Sequence, residues 1–269
     1  MPCSGSGRSS WSDFPDNLGG RQPLRRKRGG YRRSDRYCQC RYPRLSPLAS
    51  AVWVIPSDGR SYGGSTETFP PFDPRSETTA ARGSLAGDLA AVVNALHAIV
   101  VPPSALADPS LHWYRGAPLA AQDLNTRRAV RACRDIPELD LDLDAALQVW
   151  RQAMTLPGIE QVATLRWYHG DLLAENLLVR GGRLAAVLDF GSLAVGDPTV
   201  DIIIAWEVLD AAARDVFRQT VGADDPSWLR GRAWALTLAL GTFPYYWVTM
   251  PDRCASRLAI ARTILDDAT

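Results

Sequence analysis

Two apolar runs joined by a pair of glycines constrain this chain most. Leu177–Val179 and Leu184–Leu188 flank Gly181-Gly182, and two glycines between such runs supply the positive-φ positions of a tight hairpin turn. Around this hairpin the periodicity is helical. Leu85, Leu89, Val92, Leu96 and Ile99 step by four, three, four and three, which makes one face of an amphipathic helix that Pro102-Pro103 ends. Asn94 and His97 lie off that stripe, and His97 reads as a partly exposed helix residue paired with no site. Ala105–Asp123 reads as a loop and Thr126–Cys133 as a short helix. Asp144–Met154 is a helix with Leu147 and Trp150 or Arg151 on one face, stopped by Pro157-Gly158. Leu165–Tyr168 is a brief strand running into His169. After Pro198 the pattern predicts helices over Ile202–Leu209, Ala211–Val221, Trp228–Leu240 and Arg257–Leu265, with Asp225-Pro226-Ser227 starting the third.

The first 80 residues differ. Gly, Ser, Pro and Arg dominate them, and the one candidate strand, Ala51–Ile55, is stopped by Pro56. Residues 1–60 carry a net charge of +8 and the remainder −7, although the whole chain is only +1. Arg21–Arg36, with Tyr31, is a basic run that no folded reader accompanies, so it reads as a solvated tail rather than a nucleic-acid surface. With 46% hydrophobic residues the chain has ample material for a core. Its five cysteines (Cys3, Cys38, Cys40, Cys133, Cys254) have no framework spacing, so reduced thiols and a cytoplasmic location are expected. Residues 233–251 are uncharged for 19 positions, near the roughly 20 that span a bilayer. Thr237, Gly241, Thr242 and Pro244 interrupt them, so a buried helix ending near Pro244 is expected instead, with no membrane partner.

The chemistry concentrates in Trp167–Asp201, WYHGDLLAENLLVRGGRLAAVLDFGSLAVGDPTVD. If Arg180 and Arg183 flank the turn, Asn176 lies opposite Val187. Asp189 is then on the same face and diagonal to Asn176, about 7–8 Å away at the backbone. Two short oxygen-bearing side chains at that separation can share one ion, and hard oxygens suit Mg²⁺ holding phosphates. Asp171 sits five residues before Asn176, in a loop where a carboxylate can orient an attacking hydroxyl and accept its proton. Gly170 allows the tight turn before it. His169 reads as a brace for the loop.

His169-Gly170-Asp171-x4-Asn176, followed after 12 residues by Asp189-Phe190-Gly191, resembles the catalytic and metal-binding segments of kinase-like folds. The central glycine and Gly196-Asp197-Pro198-x-x-Asp201 are similar to the aminoglycoside phosphotransferase and choline kinase-like family, over about Ser84–Leu265. The resemblance implies an α+β, protein-kinase-like fold, with a mainly α-helical C-lobe at 81–269 and a small hairpin at the active site. The catalytic loop would span 167–180 and the metal-binding segment 184–201. It implies an ATP-dependent (or other nucleoside triphosphate-dependent) transferase that phosphorylates a small-molecule hydroxyl, such as an aminoglycoside-like antibiotic or a metabolite, with a place in antibiotic resistance. Asp171 would be the catalytic base, supported by His169. Asn176 and Asp189 would hold Mg²⁺ and the nucleotide, and Asp201 and Asp197 would support the loop and the next helix. Glu175, Glu207, Asp210, Asp224 and Asp225 are candidate acceptor-binding acids, and Trp206 and Trp234 candidate pocket walls.

The family's N-terminal lobe needs a strand lysine and a nucleotide-covering loop. Lys27 is the only lysine and lies among arginines, and Gly63-Gly64 sits in a polar stretch. Residues 1–80 are therefore expected to be an atypical, truncated or disordered N-terminal region, with residues 1 to about 76 not encoding that lobe. Two further readings stay open: a catalytically inactive remnant or binding protein, and a nucleic-acid contact through the basic N-terminus.

Overall fold

Leu85, Leu89, Val92 and Leu96 form the buried side of helix α1 (Thr79–His97), as their spacing predicts. The computed structural model describes residues 79–268. The candidate strand Ala51–Ile55, the basic run Arg21–Arg36 with Tyr31, Lys27, Gly63-Gly64, Cys3, Cys38 and Cys40 lie outside the described residues. The stretch expected to be a loop instead carries short helical turns. These are α2 (Pro103–Leu106) and 3₁₀ turns at Pro109–Leu111, Tyr114–Gly116 and Leu119–Gln122. Prolines at Pro103 and Pro109 start two of them, where the missing N–H costs nothing.

Helices α3 (Asp123–Cys133) and α4 (Leu143–Ala153) follow. Asp142 caps α4 by accepting from the N–H groups of Asp144 (3.0 Å) and Ala145 (2.9 Å). The buried face of α4 is Ala146, Val149, Trp150 and Ala153. Leu147 and Arg151 lie beside it rather than on it, one helical step from the expected face. The Trp150 indole N–H donates to Asp123 Oδ1 (2.8 Å), which ties α4 to the start of α3.

The strands form two antiparallel pairs. Strand β1 (Arg166–Tyr168) pairs with β4 (Ala194–Gly196), and β2 (Leu177–Arg180) with β3 (Arg183–Val187). In the hairpin, Arg180 faces Arg183 and Val179 faces Leu184, but Leu178 faces Ala186 and Leu177 faces Val187. A one-residue bulge at Ala185 therefore moves Asn176 opposite Leu188, whose N–H donates to the Asn176 carbonyl at 2.8 Å. This corrects the expected pairing of Asn176 with Val187, and with it the expected place of Asp189 on the same face as Asn176 and diagonal to it. The bulge leaves Ala186 and Val187 buried in succession, where strict alternation would expose one of them. Asp88 of α1 grips the same strand, accepting twice from Arg183 (2.7 Å each) and once from the Leu184 N–H (3.0 Å). The Arg183 hydrogen bond, working against burial, holds the Asp88 carboxyl below its ordinary range.

After β4 the chain turns through a 3₁₀ segment (Pro198–Ile203) into α5 (Ile204–Val208), α6 (Ala211–Val221), α7 (Asp225–Tyr246) and α8 (Pro251–Asp266). Asp210 and Asp224 cap α6 and α7. Trp150, Trp234, Phe217 and Phe243 are fully buried in the common core, and α7 packs against α3, α4 and α8. Thr126 and Thr237 join α3 to α7 through a buried hydroxyl pair (2.6 Å). Thr126 spends its hydrogen on the Gln122 carbonyl (2.9 Å), so Thr237 is the donor between them.

Helix α7 ends near Pro244 as expected, two residues on at Tyr246. Proline at 244 removes the N–H that would bond to the Leu240 carbonyl. The buried Cys133 thiol donates to that carbonyl instead, at 3.5 Å. Burial pushes this thiol up to about 12, so it keeps its hydrogen. Among the described residues no helix is long and apolar enough to cross a membrane. Pro244→Ala restores the backbone donor and is expected to stabilise the fold by about 1 kcal/mol or more. Chemical denaturation measures this, and a destabilised variant would show that the last turn of α7 depends on the proline ring.

Candidate active site

Strand β1 delivers the chain into His169, Gly170 and Asp171. Gly170 has φ +78°, and a Cβ there would stand 2.8 Å from the Tyr168 ring and 3.0 Å from the Ser192 carbonyl. The turn therefore needs glycine. The completely buried Asp201 holds it. Asp201 Oδ2 accepts from the His169 N–H and Oδ1 from the Gly170 N–H, both at 2.9 Å. His97 Nε2 reaches the same Oδ2 at 3.1 Å. His97 is thus part of the site, which corrects its reading as an unpaired helix residue. Its position on α1 is local in sequence, but its partner lies 104 residues away.

His169 uses both ring nitrogens. Nδ1 lies 3.2 Å from the Asp171 N–H and Nε2 lies 3.0 Å from the Leu188 carbonyl. Both bonds form when Nε2 carries the hydrogen and Nδ1 accepts. The ring links the catalytic-loop segment to the segment that carries Asp189, and it packs edge-on against Phe190 (4.7 Å).

Asn176 donates through Nδ2 to the Asp171 carbonyl (2.7 Å) and to Asp171 Oδ2 (3.2 Å). Both amide hydrogens are thereby used, and Oδ1 remains as an acceptor. Asp189 is exposed and takes the left-handed conformation (φ 56°), with Oδ1 accepting from Gly191 N–H at 3.2 Å. A non-glycine residue held there is strained, a condition that concentrates at functional positions. Asn176 Oδ1 and the Asp189 carboxylate are hard oxygens with coordination capacity left, and this donor set fits Mg²⁺ that takes its other ligands from phosphate and water. Among the described residues no group of three or more His, Cys, Asp or Glu could hold a metal ion.

Arg115 was not among the sequence candidates. Its Nη1 donates to the Gly170 carbonyl (2.7 Å) and to Asp171 Oδ1, and Nε to the Tyr114 hydroxyl (3.0 Å). The guanidinium also lies 5.3 Å from the Trp113 ring centre. Burial opposes its charge, but Tyr114 and Asp171 outweigh that and its pKa is raised. Gly116 is what brings this turn so close, since a Cβ there would overlap the Tyr168 ring. The Gly116 carbonyl accepts from the Asp197 N–H at 2.8 Å. Only an arginine between two aromatics and a glycine marks the position in sequence, and that signal does not point to Asp171.

The remaining candidates have internal partners. Asp197 is buried and caps the 3₁₀ turn after it, with Oδ1 accepting from the Thr199 N–H (3.0 Å) and Oδ2 3.7 Å from Arg230. Glu175 pairs with Arg253 (2.8 Å) and Arg257 (3.7 Å), and Glu207 with Arg257. Asp210 pairs with Arg82 (3.0 Å) and caps α6, Asp224 caps α7, and Asp225 pairs with Arg218. Of these five acids Glu207 is buried against Arg257, while Glu175, Asp224 and Asp225 keep exposed surface beside their partners. Trp206 donates to Asp267 (2.9 Å) and packs at a tilt against Trp228, and Trp234 is core.

A profile of the phosphotransferase enzyme family (APH) matches residues 50–234. The match starts upstream of Ser84, inside the region that composition marks as irregular. Among solved structures, the chain is similar to the aminoglycoside phosphotransferase APH(2'')-Ib bound to ADP. Identity is 17%, covering 71% of this chain and 68% of that one, with a TM-score of 0.44. For the apoenzyme of the macrolide 2'-phosphotransferase MphH from Brachybacterium faecium the values are 23%, 70%, 63% and 0.44. For the GDP complex of aminoglycoside 2'-phosphotransferase-IIIa they are 20%, 73%, 66% and 0.47. The chain thus spans about two thirds of the length of these structures, or slightly less. No curated protein sequence matches it.

Asp201→Asn keeps the shape of the buried anchor but turns one acceptor into a donor facing a backbone N–H. The expected cost is about 2–4 kcal/mol. Denaturation measures it, and amide exchange at His169 and Gly170 should accelerate with it. Unchanged exchange at those two amides would show that the turn holds itself.

Proposed function

The chain belongs to the phosphotransferase enzyme family, and on that premise we propose that it moves the γ-phosphoryl group of ATP, or of another nucleoside triphosphate, to a hydroxyl of a small molecule. The observation that carries this reading is the held carboxylate of Asp171. Asn176 and Arg115 fix its two oxygens, and Asp201 fixes the backbone before it. Phosphoryl transfer asks for positioning and charge stabilisation more than for covalent chemistry.

In this reading the acceptor hydroxyl donates its hydrogen bond to Asp171. As its oxygen attacks the γ-phosphorus, Asp171 takes the proton and the nucleoside diphosphate leaves. Asn176 and Asp189 would hold Mg²⁺, which when bound offsets the negative charge of the phosphates. Asn176 then does two jobs, since its amide nitrogen orients Asp171 while its oxygen would be a ligand for the ion. His169 and Asp201 keep the loop that carries Asp171 in register with the segment that carries Asp189. The described residues supply the base and the metal side of the site and contain no lysine; the one lysine of the chain is Lys27. That fact favours the second reading, a family member that binds nucleotide without turnover. The free thiols of Cys133 and Cys254 agree with a cytoplasmic enzyme.

Asp171→Ala is expected to lower turnover by about 100-fold or more while changing nucleotide affinity little. Asp189→Ala should instead weaken Mg²⁺-nucleotide binding about tenfold, near 1.4 kcal/mol. Coupled measurement of nucleoside diphosphate release and calorimetric nucleotide binding separates the two effects. An Asp171→Ala rate equal to the parent's would remove Asp171 as the base. Mg²⁺-ATP binding that raises the melting temperature, without product from any acceptor, would establish the non-catalytic reading.

A further inference from the structure

Arg115 stands beside Asp171, the proposed base. Its Nη1 spans the Gly170 carbonyl and Asp171, and Nε is taken by Tyr114. The other end nitrogen, Nη2, makes no hydrogen bond among the described residues and is not among their buried unpaired atoms. The side chain is held tightly, with only 14% of its surface exposed. The Trp113 and Tyr114 rings flank it, and the turn behind it is pressed onto Tyr168 through Gly116. A guanidinium is a planar fork, so a group seated on Nη2 lies beside the Asp171 carboxylate that Nη1 already holds.

The surrounding charge points the same way. Arg257 is buried, and burial together with the nearby Arg115 lowers its pKa while Glu175 and Asp171 oppose that shift. Two guanidiniums therefore act on the space around Asp171. Glu175 and Glu207, which could have offset them toward a ligand, are already paired with Arg253 and Arg257. An ammonium seated on Nη2 would meet a donor with no acceptor of its own.

We propose that Arg115 recognises the acceptor, and that the acceptor carries an oxyanion, a carboxylate or a phosphate, close to the hydroxyl that is phosphorylated. The proposal rests on the phosphotransferase reading above. The oxyanion takes Nη2, the hydroxyl is set against Asp171, and one side chain thereby aligns both partners of the proton transfer. Polycationic acceptors are disfavoured by the same fork.

The test uses the full chain with Mg²⁺-ATP and four acceptors: glycerate, glycerol 3-phosphate, glycerol and kanamycin. Product is read by mass and by nucleoside diphosphate release. At least one of the two oxyanion acceptors is expected to exceed glycerol in kcat/KM by tenfold or more, and kanamycin to give no product. Comparison of glycerate with glycerol 3-phosphate decides between carboxylate and phosphate. In Arg115→Met the KM of the preferred oxyanion acceptor should rise at least tenfold more than that of glycerol, and Arg115→Lys should recover part of the preference. A purely structural arginine would shift both acceptors alike. If Arg115→Met does not fold, the parent's preference and Arg115→Lys decide the matter. Preference for kanamycin or equal use of glycerol overturns the inference and leaves phosphotransfer standing, and nucleotide binding without transfer to any of the four overturns both. Failure to bind Mg²⁺-nucleotide at all overturns both.

Discussion

The completely buried carboxylate of Asp201 is the interaction on which the candidate site depends. A charge without solvent is tolerated only when its lone pairs are filled, and here two backbone N–H groups and His97 fill them. Both N–H groups belong to the turn that presents Asp171. The turn itself is a conformation that only Gly170 adopts without strain. The protein thus fixes the site's geometry from beneath, through a residue that touches no ligand, and the helical core supplies the rigidity.

A second constraint acts from the side. Gly116 lets one turn of the chain lie against Tyr168 and Gly196, and this close approach carries Arg115 onto Asp171. The contact has no room for a side chain larger than hydrogen at 116. Arg115 and Asn176 each hold one oxygen of the Asp171 carboxylate, so the proposed base is oriented before any ligand arrives. Such preorganisation is what phosphoryl transfer demands of a protein, since the reaction needs alignment and charge placement above all. The acids of the later helices serve a different end. They cap α6 and α7 or neutralise buried arginines, and a buried Arg257 without Glu207 would be an uncompensated charge in the core.

Much of the fold was legible in the chain because its signals are local. The stripe through Leu85, Leu89, Val92 and Leu96 repeats at helical spacing, and Gly181-Gly182 allows one kind of turn. Helix α6 falls where its periodicity places it. Strand β4 was not legible, because three residues, Ala194–Gly196, are too few to show a period. The hairpin register also escaped, since the bulge at Ala185 follows from which face of β3 is buried. The carbonyl that Pro244 leaves without a helix donor accepts from a thiol of α3, and no local rule anticipates that donor.

By itself the sequence determined a mainly helical architecture around one small hairpin, and the segment, Trp167–Asp201, that carries the candidate site residues. Residue types at fixed short spacings carry that information, because Gly170, Asp171, Asn176 and Asp189 are neighbours along the chain. The tertiary structure alone decided which distant groups meet them. His97 reaches Asp201 across 104 positions and Arg115 reaches Asp171 across 56. It also decided which arginines and helix ends Glu175, Glu207, Asp210, Asp224 and Asp225 sit beside. Charge carries no address in a sequence; what a carboxylate does depends on which cation the packing of the core sets beside it.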